Sequence, residues 1–137
     1  MPIKPQNTAL KAEGPESLQF QAEAGLRAFF RIMEAWQVKG QDARVLLGQP
    51  PERTFYEWKR GRVGSVPMDT LRRISYVLGI YKAIQILFQD PGMADRWIRE
   101  PNRFFAGKSA LDRMLAGDVA DLYVVREYLD AARGAWQ

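Results

Sequence analysis

Neither cysteine nor histidine occurs in this chain. Without cysteine there is no disulfide, no thiolate nucleophile and no zinc finger; without histidine the commonest neutral-pH base and metal ligand is gone. What stays open is carboxylate or lysine chemistry, an oxygen-ligated metal, or binding, and binding is the favoured reading. Long apolar runs are also missing, since none approaches the roughly 20 residues that span a bilayer. No membrane association is expected. The opening residues, Met1-Pro2-Ile3-Lys4-Pro5-Gln6-Asn7, lack the apolar core of a signal peptide, so a cytoplasmic protein is expected. What is present is an ordinary globular composition over 137 residues, 47% hydrophobic and 26% charged. That suits one domain or two small ones packed together.

The net charge is +4 and it is unevenly spread. Residues 40–80 hold 7 basic and 4 acidic side chains, whereas residues 81–137 hold 8 of each. A local surplus of this kind is how a polyanion-binding surface looks, although a solvated basic face has the same arithmetic.

Apolar residues recur at helical spacing almost throughout. Residues 1–17 are the exception, with Pro2, Pro5, Gly14 and Pro15, and read as a disordered arm. From Leu18 a long helix is predicted through Leu26, Phe29, Met33 and Trp36, ending near Val38-Lys39-Gly40. A short helix follows over Gln41–Gly48, then a tight Gln49-Pro50-Pro51 turn, then a third helix closing at Gly61. A fourth helix is predicted to stop at Gly79 and a fifth to run from Ile80 to Phe88. Asp90-Pro91 opens a sixth, Ser109-Ala110-Leu111-Asp112 a seventh, and Asp118 caps the last, which frays over Gly134–Gln137. The expectation is an all-α fold of about eight helices.

Two short helices joined by a glycine-containing turn, behind a longer helix, is helix-turn-helix order. In that motif the second helix lies in the major groove. Phe55 and Trp58 are its natural core anchors. Arg53, Thr54 and Glu57 are the candidates for base readout, and Lys59, Arg60 and Arg62 suit phosphate contacts. A plain three-helix bundle with a basic surface remains the alternative.

Other constellations carry less. Gly107-Lys108-Ser109 resembles the end of a phosphate-binding loop, but Asn102 stands where that motif needs glycine and no strand leads in. Ser109 reads better as a helix cap. Asp112, Asp118, Asp121, Glu127 and Asp130 fit caps and surface charge, so neither a metal site nor a catalytic carboxylate pair is expected. Phe29, Phe30, Trp36, Phe55, Trp58, Tyr76, Phe88 and Trp97 lie at core spacing. Trp136, beyond the last helix signal, either docks locally or enters a partner. Arg126, Asp130 and Arg133 make either a self-satisfied ladder or a polar binding face.

The order Leu46-Leu47-Gly48, Arg53-Thr54-Phe55-Tyr56-Glu57-Trp58, Leu78-Gly79-Ile80-Tyr81-Lys82-Ala83, Trp97-Ile98, Pro101-Asn102, Phe105-Ala106-Gly107-Lys108-Ser109, Leu115-Ala116-Gly117 and Val125 to Gly134 resembles the Xre/MbcA/ParS antitoxins over about residues 20–136. The chain departs from them at Ala110, where a proline is frequent. The resemblance implies an Xre-like helix-turn-helix domain over residues 18–80 packed on a toxin-binding and dimerisation domain over 81–137. It implies a homodimer that binds operator DNA of its own operon and neutralises a RES-domain, NAD-consuming toxin, with no cofactor and no enzymatic activity of its own. By the same likeness Asn102, Phe105, Lys108, Arg126 and Asp130 face the toxin, and Arg133, Gly134 and Trp136 lie nearest its active site. The competing expectation is a helix-turn-helix regulator whose C-terminal part only dimerises or senses a ligand.

Overall fold

The computed structural model describes residues 15–136, with side chains from Ser17 to Gly134. Most of the arm expected over residues 1–17 therefore lies outside the described residues. The elements in chain order are α1 (Pro15–Trp36), α2 (Gly40–Leu46), α3 (Glu52–Lys59), α4 (Met68–Leu87), α5 (Pro91–Trp97), a 3-10 turn (Arg103–Phe105), α6 (Ala110–Met114) and α7 (Val119–Trp136). There is no strand among the described residues, and the fold is all-α as expected.

Helix α1 begins three residues before the predicted Leu18. Its buried side carries Leu26, Phe29, Met33 and Trp36, one apolar stripe at three- and four-residue steps. The stripe does not extend to the first turns, where Leu18 and Phe20 are exposed, the latter at 68%. The helix stops when Gln37 turns left-handed (φ 58) and the Val38 amide donates back to the Met33 carbonyl at 2.8 Å. Arg99, far along the chain, donates to the carbonyls of Trp36 at 3.1 Å and Gln37 at 2.6 Å. Those carbonyls are the ones a helix C-terminus leaves without partners.

The predicted fourth and fifth helices are a single helix, α4, which runs through Gly79 without a break. Glycine disfavours a helix interior by only about 1 kcal/mol, a cost that packing readily overrides. Here the packing is identifiable: the Arg126 guanidinium of α7 fills the notch over Gly79, and a Cβ added there would collide with Nη1 and lie 2.9 Å from Cζ. Arg126 is held in place by its Asp130 carboxylate at 3.2 Å.

Helix α4 is the hub. Helix α1 lies along one side and runs in the same direction: Gln19 donates to the carbonyls of Val63 and Gly64 just ahead of α4, Gly25 lies against Ile74, and Trp36 packs near Tyr81. Helix α7 lies along another side, with Tyr123 against Tyr76 and Arg126 over Gly79. Helix α5 packs on the same hub. The buried residues form one continuous cluster from Leu26 on α1 to Leu129 on α7, through Ile74, Val77, Ile80 and Ile84 of α4.

The later helices start where expected. Asp90 accepts from the Gly92 amide at 3.0 Å to cap α5. Ser109 and Asp112 form a reciprocal capping box at α6, at 3.0 and 3.1 Å, so α6 begins at Ala110 without the proline frequent in similar proteins. Asp118 accepts from Ala120 at the head of α7. That helix does not fray at Gly134 but continues to Trp136.

The Gly79 notch yields a test. Gly79→Leu improves helix propensity but overfills the space taken by Arg126, and it should lower stability by about 1–3 kcal/mol. Arg126→Ala in the Gly79→Leu background should recover most of that loss, a coupling read from urea midpoints of the four species in a double-mutant cycle.

Candidate functional site

Two regions bring the candidate residues together. The first is α2, its turn and α3. Helix α2 ends with Gly48 and Gln49 both left-handed (φ 92 and 58), and the Gly48 and Gln49 amides donate back to the carbonyls of Val45 and Arg44. Pro51 then opens α3. Helix α4 grips this turn from behind. The Thr70 hydroxyl donates to the Leu47 carbonyl at 3.3 Å, and Arg73, 8% exposed, reaches the Val45 carbonyl while its Nε donates to Asp69 at 2.8 Å. A Cβ at Gly48 would lie 3.0 Å from Arg73 Nε and 3.2 Å from Asp69 Oδ2, so this position needs glycine for conformation and for space alike. Sequence reasoning did not single out Thr70 or Arg73; the Asp69/Arg73 spacing of four was the available signal.

On α3, Phe55 and Trp58 are buried and fix its orientation. Side chains advance by about 100° per residue in a helix, so Arg53, Tyr56 and Arg60 take the outward side. All three are exposed. Arg53, Thr54, Glu57 and Arg62 share one groove of 340 Å³, whose far wall is Gly64 and Ser65. Lys59 lies on the opposite flank, toward α1. Glu57 is half-buried and already engaged: Arg62 donates to it at 3.1 Å and Arg60 sits at 3.8 Å. Three of the six candidates thus form one charge cluster at the C-terminal end of α3.

The second region is the segment from Asn102 to Ser109 and the flank of α7 it touches. Asn102 organises it. Its Oδ1 accepts from the Phe104 amide at 2.8 Å, its carbonyl accepts from the Phe105 and Gly107 amides, and its Nδ2 donates to the Tyr128 hydroxyl at 3.3 Å. Ala106 and Gly107 both take left-handed conformations to close the turn. Phe105 points into the core at 6% exposure, while its neighbour Phe104 is 57% exposed. Phe104 lies on Tyr128 with ring centroids 4.7 Å apart, and Trp97 stacks on Tyr128 at 6.2 Å and 14°. The outward apolar surface is therefore Phe104 with Tyr128 and Trp97; the Phe104-Phe105 doublet in the sequence signals one ring in and one out. Lys108 is exposed beside them.

The remaining candidates are not on this flank. Arg126 and Tyr128 are two residues apart on α7, about 200° around the helix. Arg126 faces α4 at Gly79 and pairs with the exposed Asp130, whereas Tyr128 faces the loop. Arg133 extends the Arg126/Asp130 row without joining the pair, and its Nε is buried with no hydrogen-bond partner among the described residues. A Cβ on Gly134 would meet nothing within 4 Å, so nothing in the chain's own packing requires glycine there. Trp136 ends α7, and its side chain lies outside the described residues.

No group of three acidic residues able to hold a metal ion exists among the described residues, and no described helix is long and apolar enough to cross a membrane.

Residues 83–134 match the model of the antitoxin Xre/MbcA/ParS C-terminal toxin-binding domain. By that match the C-terminal part of the chain carries a domain of the Xre/MbcA/ParS antitoxin type. It is also 48% identical over 125 residues to the uncharacterized protein y4oB of Sinorhizobium fredii (strain NGR234), across 91% of this chain and 96% of that protein. No solved structure matches it. The matched domain begins inside α4, past the notch at Gly79, and takes in α5, the Asn102–Ser109 turn, α6 and most of α7.

The two phenylalanines of the Asn102–Ser109 turn should separate cleanly in a denaturation experiment. Phe105→Ala is expected to cost about 3–5 kcal/mol, as for a buried aromatic, and Phe104→Ala under about 1 kcal/mol. Equal losses in urea unfolding would contradict the inward and outward assignment.

Proposed function

We propose that this antitoxin neutralises a RES-type toxin that consumes NAD, and represses its own operon as a homodimer through a helix-turn-helix formed by α2 and α3. The observation that carries the first part is the toxin-binding domain over residues 83–134. A toxin-binding domain also favours this reading over a regulator that merely dimerises or senses a ligand. Nothing in the chain calls for a cofactor or an activity of its own, since the chemistry would reside in the toxin. A cytoplasmic location goes with both partners.

The toxin surface proposed is the exposed edge of the Asn102–Ser109 turn with Lys108, together with Arg126, Asp130 and the end of α7 at Arg133, Gly134 and Trp136. In this arrangement Asn102 and Phe105 shape the turn from within and Phe104 presents it. The DNA surface proposed is the outward side of α3. Arg53, Thr54 and Glu57 would read base edges, and Lys59, Arg60 and Arg62 would hold phosphates. Support comes from the exposure of Arg53 and Arg60, the groove joining Arg53, Thr54, Glu57 and Arg62, and the basic surplus of residues 40–80. A single helix-turn-helix reads few base pairs, so a dimer on a two-fold operator is the expected way to gain affinity.

Co-expression with the product of the adjacent gene tests the toxin reading. The toxin alone should deplete cellular NAD and arrest growth, and the antitoxin should restore both. A neighbour that does not associate, or that arrests growth with NAD intact, contradicts it. Trp136→Ala should weaken association by about 2 kcal/mol or more, as for a central aromatic anchor, and leave operator binding unchanged. Arg53→Ala should cost about 1–3 kcal/mol on the operator and relax sequence preference, whereas Arg60→Ala should weaken all duplexes alike. Unchanged gel shifts for both variants would move the DNA surface elsewhere.

A further inference from the structure

On the flank of α3 away from the Arg53 groove, Lys59 borders a hollow of 190 Å³ whose other cations come from α1: Arg27 and Arg31. These two are four residues apart, so they stand one above the other on the same face, about 6 Å apart along the axis. Phe30 and Trp58 line the hollow between them and α3, and Trp58 is buried. One carboxylate, Glu34, lies at the rim. Three cations against one anion leave the hollow strongly positive.

These cations differ from those at the other end of the cluster in one respect. Arg60 and Arg62 are both engaged by Glu57, while Arg27, Arg31 and Lys59 take part in no ion pair among the described residues. A phosphate approaching Arg62 has to compete with a carboxylate already in place. One approaching Arg27 or Arg31 does not, and all three side chains are exposed. The hollow is also continuous with the proposed DNA face, because Lys59 is the last residue of α3 and Gly61, just after it, closes the same rim.

We propose that Arg27 and Arg31 of α1, with Lys59, form a phosphate-binding track for the DNA backbone beside the helix-turn-helix, so that the DNA interface extends onto the first helix. This rests on the DNA reading of α3. The contacts would be to backbone only, adding affinity and positioning without sequence information. They would appear in the salt dependence, since each neutralised phosphate contributes about 0.9 to the slope of log K against log salt.

The test uses the full chain with two duplexes of equal length, one from upstream of its own coding sequence and one shuffled, titrated between about 50 and about 200 mM salt. Arg27→Gln/Arg31→Gln should lower the slope by about 1.8 on both duplexes, leaving the ratio of the two affinities unchanged. Lys59→Gln should lower it by about a further 0.9. Lys82→Gln/Arg96→Gln removes the same charge from exposed positions elsewhere and should leave the slope as it was; an equal fall there would assign the effect to overall charge and overturn the proposal. A wild-type slope retained by Arg27→Gln/Arg31→Gln, on a protein that still binds DNA, also overturns it. Failure of the wild type to bind either duplex would instead overturn the DNA reading on which the track depends.

Discussion

The seating of the Arg126 guanidinium on Gly79 lies at the seam where the two halves of this protein are joined. A side chain at residue 79 would have to displace that guanidinium from its place between α4 and α7, beside the shared core of Val77, Ile80, Leu122 and Val125. With glycine there, α4 continues for 20 residues and serves both halves. Its first turns hold the α2–α3 turn through Thr70 and Arg73, and its last turns lie within the toxin-binding match that begins at residue 83. No flexible linker separates the halves, and a truncation at the start of the matched domain would cut a buried helix in two. Each half packs on the hub helix that the other also uses.

Charge is arranged around this frame with little redundancy. The net surplus of residues 40–80 looked like a uniform basic patch in the sequence, but the structure divides it. Arg73 is buried as a structural tie, Arg60 and Arg62 surround Glu57, and only Arg53 and Lys59 on α3 stand clear of a carboxylate. A carboxylate inside an arginine cluster fixes side-chain orientation at some cost in field strength, which suits the reading of an edge rather than bulk attraction. Bulk attraction then has to come from cations that are not already paired.

Much of the fold was legible because the signals were local. Asp90-Pro91, Ser109 with Asp112, and Asp118 each announce a helix start through a hydrogen bond made within three residues, and each start lies where the sequence put it. Gly79 was misread because its reason is tertiary: the same residue that ends a helix when nothing packs on it continues one when a guanidinium does. Phe105 was placed on the surface with its loop, although a turn closed by two left-handed residues must drive one of two adjacent rings inward. Core positions on α1 followed the helical period from Ala22 onward and failed at Leu18, where no neighbouring helix among the described residues receives the stripe. The pairing of Glu57 with Arg62 depends on how the chain turns after α3, which no spacing rule specifies, whereas Glu57 and Arg60 stand at an ordinary helical spacing of three.

The same limit applies to the toxin face. Asn102, Phe105 and Lys108 were grouped with Arg126 and Asp130 because they share a stretch of chain resembling known antitoxins, yet α7 separates the two sets by nearly half a turn of its circumference. Tyr128 commits one flank to the aromatic edge of the loop, and Gly79 commits the other to α4. A flat partner surface cannot touch both. A partner that does so has to wrap around α7, and the place where a wrap meets least obstruction is its C-terminal end, beyond Leu129, the last buried residue among those described. There Gly134 has open space where a Cβ would stand, and Arg133 holds a buried nitrogen with no acceptor among the described residues. An enclosing partner is also the kind whose own cleft a helix terminus can enter, as the proposed toxin contact at Arg133, Gly134 and Trp136 requires.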